Sequence, residues 1–511
     1  MNARTADGNR EIELKFGVDP ERAEAVEAAL ARVPHAKTAT IESHYFDFAD
    51  RRLSKARLAL RLRKSGGTWE QTVKGPGDGE VNRLEETVQR PDAGADDAPA
   101  VDLTLHAGTS VGKLVDAAIG AKDSQAASLD AMFVTRVQRQ SAIVATDESE
   151  VEVAFDRGGI DAGGSTLPIC EVEYELVSGD PELLFDLGRK GIVQHGMWIS
   201  VLNKAMRGDL LSVGRQTIPP ARSRNPVLTR KMKGAQIFQS ALQVCFEQVS
   251  VNASAVAGGQ CDDEVIHQLR VGLRRLRTAG RELAPLNGGL PMPWESAVAQ
   301  TFRVLGEYRD AATVASALRR LLARAGSPEP VLSGREQQIP HPVAAVRSAS
   351  FQLALLQVLA SAHGRSMGVK DGAAVQAPSL GAAESLKLIN ARLDKLHACL
   401  GRDAKQFEKL EPLSQHRVRK RLKRLRYLTE LVGSLFDTHK VERYLDRLRP
   451  AQEALGYYVD LAVGLEMARD ASAAGDGKAW FNVGYLSAQV PMSTKDCAAA
   501  LKKAARAKRY W

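Results

Sequence analysis

Glu11, Glu13 and Lys15 stand at every second position of EIELK, with apolar Ile12, Leu14 and Phe16 between and after them. In an extended strand alternate side chains share a face at a repeat of about 6.8 Å, so two carboxylates and an ammonium line one wall. ICEVEYEL repeats the design with Glu171, Glu173 and Glu175, and VEVAFD sets Glu152 and Asp156 against Val151, Val153 and Phe155. Other segments carry cations: Arg61 and Arg63 in ALRLRK, Lys74 in TVKG, Arg136 and Arg139 in Val134 to Ala145, Lys204 and Arg207 in Trp198 to Gly208. Facing carboxylates repel unless a cation lies between them, and clustered Arg and Lys require an anion. A polyphosphate carrying a divalent cation meets both needs, because carboxylate oxygens suit Mg²⁺ or Mn²⁺ and guanidinium forks suit phosphate.

Short strands must hold these side chains. After Lys15 a helical segment runs from Asp19 to Arg32, then Ser43 to Asp47 and Ala59 to Lys64 read as strands, with a hairpin through Gly66-Gly67 returning as Trp69 to Lys74. Arg83 to Val88 is another strand, residues 92 to 130 form a loop and a modest helix, and strands resume from Val134 to Gly208. The expected fold is an antiparallel eight-stranded β-barrel forming a tunnel, with flanking helices.

Residues 212 to 226 are polar, contain Pro219-Pro220 and read as a linker, so the expected domains are 1–211 and 227–511. The second is helical throughout. In HQLRVGLRRLRTAGREL, His267, Arg270, Arg274, Arg277 and Arg281 follow spacings of three and four and form one stripe, while Leu269, Leu273, Leu276 and Leu283 take another face. The stretch recurs: His416, Arg419, Lys423, Arg424 and Arg426 fall 149 positions after His267, Arg270, Arg274, Arg275 and Arg277. Leu305, Gly306 and Asp310 are matched in turn by Leu455, Gly456 and Asp460. Such a duplication predicts an all-α domain of two pseudo-symmetric helical bundles, with both basic stripes around a common axis.

Charge follows the same division. Residues 225–511 hold 42 Lys+Arg against 26 Asp+Glu, a balance of +16, and residues 1–224 hold 28 against 35, a balance of −7. A polyanionic partner therefore suits the second half. Nucleic acid is disfavoured, since only 5% of the 511 residues are aromatic and no base-reading motif is present. The five cysteines are widely spaced and form neither a disulfide framework nor a zinc-ligand pattern. No apolar run reaches the roughly 18 residues of a membrane helix, and MNARTADGNREIELK lacks a signal-like apolar core, so the expected location is cytoplasmic.

Taken in order, EIELK, ALRLRK, Lys74 in TVKG, Arg83 and Glu85 in RLEE, Arg136, Asp156 in AFDRG, Glu171 and Glu173 in CEVE, and Lys204 in NKAMRG resemble the motifs of the CYTH superfamily, the triphosphate tunnel metalloenzymes. The resemblance implies hydrolysis of inorganic triphosphate. It also implies metal ligands at Glu11, Glu13, Glu85, Asp156, Glu171 and Glu173, and phosphate ligands at Lys15, Arg61, Arg63, Lys74, Arg136 and Lys204. Glu171 and Lys15 become the catalytic residues, with Lys15 either a phosphate ligand or, with a lowered pKa, the base. Thr87 departs from the pattern, where relatives often have a glutamate. The second half resembles the CHAD domain, which implies inorganic polyphosphate binding and, in some members, association with polyphosphate granules. His267, Arg270, Arg274, Arg277, His416, Arg419, Lys423 and Arg426 are its candidate ligands, the histidines being either ligands or buried spacers. The readings that compete with triphosphate hydrolysis are a non-enzymatic polyphosphate-binding protein and a cyclase acting on ATP.

Overall fold

The computed structural model describes all residues except 1–9, 77–81, 92–97, 121–127, 289–292, 310–314, 328–339 and 366–378. The described chain divides into two compact units, Met1–Pro220 with Ser250–Gln260 and Val346–Leu356, and Ala221–Val249 with Cys261–Ala345 and Gln357–Trp511. The expected linker thus ends in one unit and begins the other.

An antiparallel sheet builds the first unit: β1 (Arg10–Gly17), β2 (Lys37–Phe48), β3 (Ala59–Ser65), β4 (Thr68–Pro76), β5 (Asn82–Arg90), β6 (Leu129–Ala145), β7 (Ser149–Ala162), β8 (Ser165–Gly179) and β9 (Trp198–Ile199). Nine strands occur where eight are expected, because β9 adds two residues beside Phe16 and Gly17 of β1. The order is β5-β4-β3-β2-β6-β7-β8-β1-β9, and β5 also pairs with β1. Gly66 and Gly67 take φ of 57° and 84° between β3 and β4, the left-handed pair that a two-residue hairpin demands, and Gly163 and Gly164 do the same between β7 and β8.

Register carries one parity around the sheet. Glu13 lies opposite Glu175 and Glu175 opposite Glu152; Lys15 lies opposite Glu173; Gly17 lies opposite Glu171, then Asp156 and Arg139 follow. Arg61 and Arg63 lie opposite Tyr45 and Ser43 of β2 and Thr72 and Glu70 of β4, and Lys74 lies opposite Glu85. With a period of two these side chains share one face. On the other face Leu60 and Val73 are buried with Phe48, Leu53, Val111 and Val115.

One end of the charged face is apolar. Ile41, Tyr45, Phe133, Val137, Ile160 and Ile169 pack there with Leu211 of the Lys204–Ser212 helix. The helix comes so close that a Cβ on Gly208 would lie 2.2 Å from the Phe133 ring, itself stacked on Tyr45 at 4.5 Å. Gly208→Val should therefore destabilise the unit by about 1–3 kcal/mol through overpacking. An unchanged denaturant midpoint would contradict this account of how the helix is seated.

In the second unit, the repeated motif occupies the Asp263–Leu283 and Pro412–Val432 helices, 21 residues each. Asp262 caps the first by accepting from Val265 N–H at 3.1 Å, and Pro412 opens the second at a position where no intrahelical N–H is needed. Leu269, Leu273, Leu276, Leu422, Leu425 and Leu428 are buried. Arg275 is also fully buried: it donates to the Arg224 carbonyl at 2.7 Å and to Asn225 Oδ1 at 3.2 Å, so the end of the expected linker is tied to this helix. Leu305 and Gly306 lie on Glu295–Arg309, and their counterparts Leu455, Gly456 and Asp460 on Thr438–Ala473. Asp310 lies outside the described residues.

Candidate functional site

Three carboxylates converge where β7 and β8 pair. Asp156, Glu171 and Glu173 offer oxygens all within 4.8 Å of one another, and Asp156 and Glu171 are almost wholly buried. Strand pairing alone puts Asp156 beside Glu171, and the pleat puts Glu173 on the same side. Lys204 reaches in from the Lys204–Ser212 helix, which Asn203 caps by accepting from Met206 N–H at 2.7 Å. Its Nζ lies 2.7 Å from Asp156, 2.5 Å from Glu171 and 2.9 Å from Glu173. The expected strand from Trp198 to Gly208 is thus a two-residue strand followed by a helix, and the helix supplies the lysine.

Arg139 is a site residue that the motif reading missed. It donates to Asp156 at 2.7 and 2.6 Å and to Glu173 at 2.6 Å. Arg136, the expected phosphate ligand, is half-exposed and ion-paired with Glu42 at 3.2 Å and Asp161 at 3.1 Å. The reason is parity, since residues three apart in a strand point to opposite faces and the register pairs Arg139, not Arg136, with Asp156.

Charge reshapes each group. Burial acts to raise the carboxyl of Glu173, yet Lys204, Arg139 and Lys15 hold it well below the usual range. Asp156 is lowered in the same way, with Lys204 the chief opponent of burial. Lys204 is held well above its ordinary value, its three carboxylate neighbours outweighing burial. Lys15 is buried and shifted down, first by burial and then by Lys204, against the pull of Glu171, Glu173 and Glu13. Its lowered pKa arises mainly from desolvation, with other cations a lesser cause.

A cationic wall lies on β3 and β4. Arg61 sits 3.5 Å and Lys74 2.9 Å from Glu85, and Arg63 sits 3.5 Å from Glu70. Burial, then Arg61 and Arg139, push Arg63 down to about 10. The Nε atoms of Arg61 and Arg63 are buried and make no hydrogen bond. Glu85, an expected metal ligand, lies among these cations and outside the Asp156 group. Glu13 lies one rung along β1, across from Glu175, which burial followed by Glu85, Glu152 and Glu13 pushes up to about 7 against the pull of Lys74. Glu11 belongs to β1, with its side chain outside the described residues.

In the helical unit the two basic stripes meet. Lys423 is driven down to about 6 by burial and then by Arg274, Arg419, Arg270 and Arg426, residues drawn from both repeated helices. Arg270 and Arg274 also stack over Phe302 at 5.1 and 5.0 Å. Lys420, which the motif reading left out, is lowered by burial and then by Arg277, Arg274 and Arg281. Burial is the first cause that lowers His267 and His416, favouring neutral imidazoles. Arg277 lies 3.6 Å from Glu295, and Arg426 pairs with Glu430 at 2.6 Å and Gln452 at 2.9 Å, so these two are partly neutralised locally.

The CYTH domain profile matches residues 9–207 and the CHAD domain profile residues 240–469. An inorganic triphosphatase of Haemophilus influenzae is 28% identical over 205 residues, 40% of this chain and 55% of that protein, so the chain spans about half the length of this relative. Among solved structures, the CHAD domain of the plant Ricinus communis is 24% identical over 57% of this chain and 98% of its own, with a TM-score of 0.42. A Hippeastrum protein described as a putative adenylyl cyclase with a dominant triphosphatase activity is 19% identical over 41% of this chain and 98% of its own, with a TM-score of 0.29. The charged sheet and the paired basic helices fall within the two matched stretches in that order: the chain is a CYTH domain followed by a CHAD domain.

Proposed function

We propose that the sheet unit is a metal-dependent inorganic triphosphatase and that the helical unit binds inorganic polyphosphate. The observation that carries the first part is the juxtaposition, on one face of one sheet, of a buried carboxylate trio and a wall of buried guanidinium groups. The pairing of β1 with both β8 and β5 supports reading the eight long strands as a closed tunnel, with the charged face inward. The match to an inorganic triphosphatase supports the choice of substrate.

Asp156, Glu171 and Glu173 would hold Mg²⁺ or Mn²⁺, with Glu13 and Glu11 from β1 as further ligands. The donor set fits, being hard carboxylate oxygens in close array. Glu171 Oε1 fits as well: it is buried and makes no hydrogen bond of good geometry, even with the Lys204 ammonium at 2.5 Å. When bound, a divalent cation neutralises charge on the phosphoryl oxygens and makes water a better nucleophile.

The remaining groups act on the phosphate chain. Arg61, Arg63, Lys74 and Arg139 would hold it by charge-assisted hydrogen bonds, and the unpaired Nε donors of Arg61 and Arg63 suit an anionic acceptor. Lys204 would engage the phosphoryl group nearest the trio. Lys15 would bind the phosphate chain as well or, since burial shifts it below its ordinary pKa, act as the base toward the attacking water. In the helical unit, the cations gathered around Lys423 repel one another and are relieved by a polyanion. In this reading the protein works in the cytoplasm, with polyphosphate granules as one place of action.

Incubation of the full chain with tripolyphosphate and Mg²⁺ or Mn²⁺ should release orthophosphate, and chelation should stop it. No release with either ion would remove the catalytic half of the proposal. With ATP, appearance of a cyclic nucleotide would favour the cyclase reading instead.

A further inference from the structure

Lys204 competes with whatever cation the trio is built to hold. Its Nζ lies 2.5 to 2.9 Å from an oxygen of each of the three carboxylates and donates a hydrogen bond to Glu173 Oε1 at 2.9 Å. Arg139 lies 2.6 Å from both Asp156 and Glu173, and Arg207 lies 3.6 Å from Glu171. Three carboxylates thus already face Lys204, Arg139 and Arg207, with Lys15 close enough to act on Glu171 and Glu173.

A divalent ion held by these oxygens would compete with the ammonium for them, because two cations at one carboxylate cluster repel strongly. Arg139 forks onto both oxygens of Asp156, sharing Oδ2 with Lys204, and takes Glu173 Oε2 where Lys204 takes Oε1, but it does not touch Glu171; Arg207 is farther away and also donates to the Pro168 carbonyl. Lys204 is the group placed to leave. Its backbone is fixed in the first turn of a capped helix, while its flexible stem lets the ammonium swing.

We propose that Lys204 is a displaceable internal counter-ion: it holds the Asp156–Glu171–Glu173 trio until a divalent cation arrives, and then turns to a phosphoryl oxygen. The inference rests on the metal site proposed above. Metal binding to the phosphate-free protein is accordingly weak. Loading is favoured when the phosphate chain is present to receive the ammonium, which couples the two ligands reciprocally.

The test is Mn²⁺ titration of the full chain without phosphate, read as loss of the free-ion paramagnetic resonance signal, with folding checked by circular dichroism. Lys204→Met should bind Mn²⁺ at least about tenfold more tightly than wild type, because no ammonium has to be displaced. Lys204→Gln, run alongside in case the first variant does not fold, carries the same expectation, and Lys204→Arg should stay weak. Arg207→Ala separates displacement from the mere loss of a nearby positive charge and should tighten binding by less than about threefold. If the Lys204 variants bind no more tightly than wild type, or Arg207→Ala tightens binding equally, the counter-ion role is wrong while the metal site stands. If neither wild type nor any variant takes up Mn²⁺, the metal site and the inference fall together.

Discussion

Glu171→Gln should slow release of phosphate from tripolyphosphate by at least about 10³-fold, equivalent to roughly 4 kcal/mol of transition-state stabilisation. Glu171 is 2% exposed and belongs both to the carboxylate trio and to the row joining β1, β8, β7 and β6. Glutamine keeps its volume and one acceptor oxygen but removes the charge that balances Lys204 and Arg207. Some loss of stability is expected too, on the order of 1–3 kcal/mol, because a buried ion pair is broken on one side only. Activity must therefore be compared where both proteins are folded. Arg136→Gln is the contrasting variant: its side chain lies on the opposite face, paired with Glu42 and Asp161, and the rate should stay within about twofold of wild type. Retention of more than a tenth of the wild-type rate by Glu171→Gln, or a large loss on replacing Arg136, would show that the wrong face has been assigned.

The contrast between Arg136 and Arg139 marks where a sequence stops being informative. For EIELK and CEVEYE, strict alternation names the face that each side chain takes, because the pleat allows only two choices and the apolar residues claim one of them. In FVTRVQRQ, apolar or small residues occupy both parities, so the string leaves open which arginine points inward. The answer comes from register with β7, a long-range property. Lys204 is legible in the sequence as a cation at the right place in the order, but a helix carries it where a strand is expected. Asn203, ahead of a segment ending in Leu210 and Leu211, is a helix-start signal, and its side chain caps the helix that carries Lys204. In the helical half, the repeated spacing identified the paired basic helices, yet Arg275 and Arg424 occupy equivalent motif positions with different fates. Arg275 is buried and fastened to Arg224 and Asn225, while Arg424 lies 3.6 Å from Glu282. Equivalent positions in a duplicated sequence need not meet equivalent neighbours, and only packing separates the arginine that braces the chain from those left for a ligand.

Replacing Arg274, Arg277, Arg419 and Lys423 together by glutamine should lower the affinity for long-chain polyphosphate by about 10³-fold or more at low salt, since each lost cation forfeits counter-ion release. Lys423 gives this prediction a second, pH-dependent arm. Its folded-state value is near 6 and its ordinary value 10.5, with burial and then the surrounding arginines as the cause. Between those values the unfolded chain carries a proton on Lys423 that the folded, ligand-free protein lacks. This group therefore makes stability increase as pH rises from about 6 to about 10.5, and its penalty is largest below pH 6. Lys423→Met should raise the melting temperature at pH 7 and flatten that part of the pH dependence, by about 2–4 °C for each kcal/mol recovered in a unit of this size. Polyphosphate reverses the bias, because phosphate oxygens beside the amine favour its charged form and binding then draws a proton from solution. Affinity should fall as pH rises above 6, with His267 and His416 adding to the fall below neutrality as they lose their protons. Calorimetric titration in two buffers of different ionisation enthalpy measures the proton uptake directly. Uptake in wild type that is lost in Lys423→Met locates the chain against the Asp263–Leu283 and Pro412–Val432 helices, whereas equal uptake in both proteins would place it elsewhere.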